Sequence, residues 1–277
     1  MKRSLSSGIA KLFRILFTGS AFFVFWWGGL FLSWTVLPAL RLRWRKHPAQ
    51  GSRRCRQVLN RSLRFHANYM KFFRLIDFDA SDIEEGLRLE GPFVMVANHP
   101  TLIDVVLLLA LYPSMFCVVK GAVIRGPFVG RMLRYADHID AGDGGLLSGA
   151  GVVMGALERL GRGDPVLIFP EGTRSPRDLL GDFRPGAFVI AQKANVPVVP
   201  VHIDASPPAL MRGMKWYTVP DQTIRFRFRV LTPVAPAAYQ GDPRAMARSV
   251  RDSIAAQFAP PLAAPPLPLP SNLAEAV

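Results

Sequence analysis

Residues 93–104 read Phe93-Val94-Met95-Val96-Ala97-Asn98-His99-Pro100-Thr101-Leu102-Ile103-Asp104. The first five are apolar and read as a buried strand. A short polar turn follows, and a helix candidate opens at residue 103. Strand, turn and helix in that order make the repeating unit of an α/β fold, which places its chemistry at strand ends. His99 lies at such an end, with a carboxylate, Asp104, five residues on. An imidazole takes a proton near neutral pH when its tautomer is held, and a neighbouring aspartate is the usual holder. His99 and Asp104 are therefore the candidate general base and its partner. On its own, a histidine in this position is more often structural.

The pattern repeats outward from this stretch. Strand-like apolar runs lie at 93–97, 115–119, 166–169 and 196–203. Helix candidates separate them at 103–111, 128–135, 146–160 and 186–194. Residues 224–230, Ile224-Arg225-Phe226-Arg227-Phe228-Arg229-Val230, alternate with period two and predict a strand with one wet face. A last helix is expected over 243–258, and the Pro- and Ala-rich segment after it is expected to be disordered. There is no internal repeat.

The 277 residues carry a net charge of +14, unevenly spread. Residues 1–80 hold 15 Lys/Arg and 2 Asp/Glu, so +13 sits there and +1 in the remainder. Within that basic region, Ile15 to Leu40 is a run of 26 residues without a charge. As a helix it would measure roughly 39 Å, against about 30 Å for a hydrocarbon core. Gly28-Gly29 is an expected bend, and Pro38 weakens the end. Basic residues flank both sides, which leaves a single span, a re-entrant pair and an interfacial helix open. The larger basic cluster after the run places its C-terminal side in the cytoplasm. Residues 52–76 predict an amphipathic helix with a basic face. Cations around an apolar stretch fit anionic lipid headgroups and exclude a nucleic-acid reader, which would pair them with exposed aromatics on a recognition face. Two distant cysteines, Cys55 and Cys117, form neither a disulfide framework nor a zinc spacing. The division expected is a membrane-anchoring region at 1–80, an α/β domain at 81–258 and a tail at 259–277.

A second segment, Phe169-Pro170-Glu171-Gly172-Thr173-Arg174-Ser175, follows the run Val166-Leu167-Ile168. Its glycine permits close backbone approach, and its arginine suits a phosphate. The pair Asn-His-x-x-x-x-Asp at 98–104 and Phe-Pro-Glu-Gly-Thr-Arg-Ser at 169–175 resembles the glycerolipid acyltransferase family, whose members include 1-acylglycerol-3-phosphate acyltransferases. Two more features agree in order: Lys120 with Pro127-Phe128-Val129-Gly130, and Val196-Pro197-Val198-Val199-Pro200-Val201. The resemblance covers about residues 90–235.

It implies a mixed central sheet flanked by helices, with an N-terminal membrane-binding helical element. It further implies direct acyl transfer to a hydroxyl, with no bound cofactor and no metal. The donor would be an acyl-carrier-protein or coenzyme A thioester, and the acceptor a lysophospholipid. His99 and Asp104 would be catalytic. Lys120 and Arg174 would clamp the acceptor phosphate, Glu171, Gly172 and Thr173 would shape its site, and Pro200 would line its wall. The expected location is a bacterial inner membrane, with the active site on the cytoplasmic side.

One departure stands out. Where the family often carries an arginine after the Pro-x-x-Gly turn, Ala136-Asp137-His138-Ile139-Asp140-Ala141 places Ala141. That removes a phosphate contact and puts lysophosphatidic acid itself in question. The wording of 98–104 and of this segment resembles the branch encoded with bacterial aryl-polyene pathways, which implies a polyene or fatty acyl group and a different lipid acceptor. A thioester hydrolase and a non-catalytic lipid-binding protein are the competing readings.

Overall fold

The computed structural model describes residues 2–79, 81, 83, 91–112, 115–127, 129–142, 149–176 and 179–258. The expected tail at 259–277, Phe128 of the Pro-x-x-Gly turn, and Asp143 and Gly144 of the acidic segment lie outside these residues.

Three helices open the chain: α1 (Lys2–Trp34), α2 (Val36–Arg43) and α3 (Pro48–Phe72). The apolar segment runs straight through Gly28-Gly29 and breaks at Thr35 instead. Pro38 explains the place. Its ring has no N–H for the carbonyl four residues back and crowds that carbonyl, at Trp34. Thr35 Oγ1 also donates to the Phe31 carbonyl at 2.7 Å. Helix α3 starts on Pro48, whose missing N–H is no loss in a first turn. It buries Cys55, Leu59, Leu63, His66 and Met70 along one stripe.

The α/β part comprises β1 (Ile76–Phe78), β2 (Val94–Ala97), α4 (Asp104–Leu111), β3 (Phe116–Val119), α5 (Gly121–Ile124), α6 (Val129–Tyr135) and β4 (Ile139–Asp140). It continues through α7 (Ala150–Gly161), β5 (Val166–Ile168), α8 (Gly186–Ala194), β6 (Val198–Ser206), β7 (Ile224–Val230) and α9 (Pro243–Ala255). Seven strands among the described residues form one sheet in the order β1-β7-β6-β2-β5-β3-β4. Neighbours are parallel except β6 and β7, so the sheet is mixed. Strand β1 joins it from within residues 1–80, so the N-terminal region and the α/β part share a sheet.

Strand β2 lies at the centre and is buried on both faces, as its unbroken apolar run requires. Met95 and Ala97 join Leu167, Val199 and Val201 in a core closed by α1, α3 and α4. Val94 and Val96 join Val166, Ile168 and Val198 in a second core closed by α7, α8 and α9. Helix α3 is tied to the end of α4, where Asn60 Nδ2 donates to the Leu109 carbonyl and Arg64 Nε to that of Ala110. Those carbonyls have no partner within their own helix.

Two positions carry testable consequences. A Cβ at Gly130 would overlap the Ile124 carbonyl, with no flexible neighbour to yield. Gly130→Ala should cost about 1–3 kcal/mol and lower the thermal midpoint by several degrees. His138 is buried, and its Nδ1 accepts the Cys117 N–H at 2.9 Å. Burial, with the Arg56 and Arg159 guanidinium groups nearby, holds its pKa down to about 3 from 6.5. The unfolded chain therefore binds a proton that the folded chain refuses, and stability falls as pH drops from 6.5 toward 3. The melting temperature should fall between pH 7 and pH 5, and His138→Asn should flatten that slope. An equal slope in the variant would remove His138 as the cause.

Candidate active site

Strands β2, β5 and β6 are parallel neighbours, so the segments leaving β2 and β5 emerge on one sheet edge. Asn98 fixes the first of them to β6: its Nδ2 donates to the Ile203 carbonyl at 2.8 Å, and its Oδ1 accepts the Ile203 N–H at 2.7 Å. His99 follows. Its Nδ1 lies 2.8 Å from Asp104 Oδ2. The same oxygen accepts the Thr101 N–H at 2.7 Å, and the Thr101 hydroxyl donates to Oδ1 at 2.5 Å. Asp104 is 0% exposed and opens helix α4, where the dipole favours a negative charge. A carboxylate so held takes the Nδ1–H tautomer of His99 and leaves Nε2 as the base. The His99 side chain keeps 19% of its surface exposed. Its ring stacks on Phe169, with centroids 4.3 Å apart.

The second motif is bolted to the first. The His99 N–H donates to Ser175 Oγ at 3.0 Å and to Glu171 Oε1 at 3.3 Å. The Ser175 N–H returns a bond to the His99 carbonyl at 2.8 Å, and its hydroxyl donates to Glu171 Oε1 at 2.5 Å. The other Glu171 oxygen accepts the Gly181 N–H at 2.9 Å. Gly172 takes a positive φ of 69°, which closes the turn back to the Phe169 carbonyl.

A cavity of about 660 Å³ opens beside the dyad. His99, Lys120, Gly172, Thr173 and Arg174 all line it. Most of the remaining wall is apolar and comes from α1, α3, α4, α6 and the segment between β6 and β7. Ala141 lines it too, so the position where an arginine was expected does face this space. Lys120 is exposed at the end of β3. Arg174 Nη1 donates to the carbonyls of Leu210 and Met211 at 3.1 and 3.3 Å. Nε and Nη2 of the same guanidinium are further donors.

Two expected binding residues lie elsewhere. Glu171 is buried and spends both oxygens on backbone and Ser175, so it braces the two motifs and does not line the cavity. Pro200 sits inside β6 opposite Val96 and is absent from the cavity wall. Strand alternation turns it away from the face of Val199 and Val201. Thr101 and Ser175 carry no sequence signal of these roles, although both stand inside the quoted motifs. Nor does His66, which lines the cavity from α3 with its Nδ1 unpartnered. Burial pushes its pKa down to about 4, so it is neutral. Among the described residues, no three His, Cys, Asp or Glu side chains gather as a metal-binding set.

Residues 80–204 match the family model described as Acyltransferase. A chloroplastic 1-acyl-sn-glycerol-3-phosphate acyltransferase of Brassica napus is 32% identical over 123 residues, covering 44% of this chain and 36% of the relative. The mouse 1-acyl-sn-glycerol-3-phosphate acyltransferase alpha is 28% identical over 216 residues, 68% of this chain and 70% of the relative. The chain spans between 32% and 43% of the length of the plant and algal relatives it matches. The crystal structure of the 1-acyl-sn-glycerophosphate acyltransferase of Thermotoga maritima superposes with a TM-score of 0.58 at 23% identity, covering 92% of this chain and 95% of the other, and shows the same fold. The matched region spans both motifs and the likeness of fold extends beyond it, so the chain resembles the glycerolipid acyltransferases.

Proposed function

We propose that this protein is a lipid O-acyltransferase of the 1-acylglycerol-3-phosphate acyltransferase type, moving an acyl group from a thioester to the hydroxyl of a lysophospholipid-like acceptor. The observation that carries the reading is His99 on the wall of a largely apolar cavity, with the buried Asp104 2.8 Å from its Nδ1. His99 Nε2 takes the acceptor proton as its oxygen attacks the thioester carbonyl. Asp104 stabilises the imidazolium that forms. The tetrahedral intermediate then expels the thiolate, which recovers the proton from His99 and leaves as a free thiol. The donor is an acyl-carrier-protein or coenzyme A thioester. Apolar walls favour this transfer over hydrolysis, because they hold the acyl chain and keep water from His99.

Lys120 and Arg174 are the cations for the acceptor phosphate, one a point charge and the other a planar fork. Ala141 on the same wall favours a second form of the reading, in which a polyene or fatty acyl group goes to a lipid with a weaker demand for positive charge. The protein acts at an anionic membrane, on the cytoplasmic face of a bacterial inner membrane. Helix α1 supports this. One stripe of it packs on the C-terminal end of α3 through Phe17 on Phe73 and the Ser20 and Tyr69 hydroxyls, while Leu12, Leu16, Phe23, Trp27 and Phe31 stand exposed. A helix so fastened lies along the surface of the protein, with its free stripe for acyl chains.

Thiol release and diacyl product, measured with a lysolipid acceptor, test the chemistry. His99→Ala should lose about 10²–10⁴-fold in rate, and Asp104→Asn a comparable factor through the wrong tautomer. Thr101→Val, which removes one bond to Asp104, should lose about tenfold. Full transfer by His99→Ala would remove His99 as the base, and free acid as the sole product of the unaltered chain would replace the transferase reading with a hydrolase. Ala141→Arg should raise kcat/KM for lysophosphatidate relative to an uncharged lysolipid. An unchanged ratio would remove Ala141 from the acceptor site.

A further inference from the structure

Strands β6 and β7 are joined by residues 207–223. The tip of this segment reads Met211-Arg212-Gly213-Met214-Lys215-Trp216-Tyr217. Met214, Trp216 and Tyr217 are exposed, the two rings at 47% and 46%. Arg212 and Lys215 are exposed in the same tip, and Lys215 Nζ lies 5.5 Å from the Tyr217 ring. The rings leave about half their surface open to water beside these cations. They suit a bilayer surface, where aromatic rings sit at headgroup depth and cations meet anionic lipid.

The tip is also fastened at two ends that matter. At the inner end, the Leu210 carbonyl accepts the Leu102 N–H and Arg174 Nη1, both at 3.1 Å. At the outer end, Trp216 covers Gly19 of α1, where an added Cβ would come within 3.5 Å of the ring. It also meets the Phe22 ring edge-on at 5.8 Å. Arg14 Nε donates to the Pro220 carbonyl at 3.3 Å. The tip is thus continuous with helix α1, and Leu210 and Trp216 line the cavity from the same segment.

We propose that residues 211–217 form a second lipid-contact surface, which together with α1 seats the cavity against the headgroups of an anionic bilayer. This rests on the lipid-acceptor reading and adds where the acceptor enters. Residues 211–217 carry two cations and no acid, and Asp221 is the acid nearest in the segment. A lysolipid then passes from bilayer to cavity along Trp216 without crossing water. An acidic protein carrier would match the cations alone. The rings and their continuity with the apolar stripe of α1 favour lipid.

The test uses the full chain reconstituted in phosphatidylglycerol vesicles doped with bromine-labelled acyl chains. A fluorophore is placed on Tyr217→Cys, on Phe23→Cys of α1, or on Met154→Cys. Cys55 and Cys117 are buried, so the new thiol takes the label. Met154 is exposed on α7, against the opposite face of the sheet. Bromolipid should quench the label at 217 nearly as strongly as at 23, and leave that at 154 unchanged. A label at 217 that behaves like the one at 154, or that responds to an acidic carrier protein and not to bromolipid, overturns the proposal. In parallel, the combined variant Met214→Ser, Lys215→Glu, Tyr217→Ser should lose about tenfold in transfer to long-chain lysolipid in vesicles. It should keep its rate with a monomeric short-chain lysolipid, and equal losses on both would overturn the surface role. Absence of transfer by the unaltered chain would defeat the functional reading, while quenching at 217 would still decide the loop.

Discussion

The carboxylate of Asp104 is removed from water, and the local structure is arranged to satisfy it. A buried charge is tolerated only when hydrogen bonds replace its hydration. Three do so here: the Thr101 N–H, the Thr101 hydroxyl and His99 Nδ1. Meeting them requires the turn from β2 into α4 to fold back on itself within a few residues. That turn in turn needs Asn98 to hold it to β6 and the Ser175 hydroxyl to receive the His99 N–H. The orientation of one imidazole thus draws in three parallel strands.

The sheet divides the labour between its faces. The face of Val94 and Val96 is closed by α7, α8 and α9 and is a packed core. The face of Met95 and Ala97 is closed by α1, α3 and α4, and there the packing leaves the cavity. The polar groups of that cavity come from segments at strand ends, and much of its apolar wall comes from the N-terminal helices. The region that reads as an anchor is at the same time part of the cavity wall.

The central strand, the α/β order and the two motifs were legible because each is local. Strand β2 is a continuous apolar run, and β7 alternates so regularly that its bounds, Ile224–Val230, coincide with the expected ones. His99 and Asp104 are close in sequence, and the Nδ1–H tautomer follows from their pairing. What was not legible depended on partners far along the chain. Strands β1 and β4 are three and two residues long and exist only through pairing with β7 and β3. Glu171 looked like a ligand for substrate because its bonds to Gly181 and the His99 N–H cannot be seen in a motif. Pro200 was credited with a wall position that strand alternation denies it. The bend went to Gly28-Gly29 on composition, whereas the steric rule for Pro38 places it at Thr35.

Helix α1 touches protein along one stripe and offers the other outward, with Ala21 buried and Phe23 exposed only two residues apart. Each residue turns an α-helix by about 100°. Substitution on either stripe therefore alters one surface alone. Insertion or deletion of a single residue between Phe17 and Phe22 would turn the upstream part against the downstream part. The stacking of Phe17 on Phe73 and the packing of Phe22 on Trp216 could then not both be kept. The length of this helix is accordingly a fixed quantity of the fold, while its composition is free to follow the surroundings.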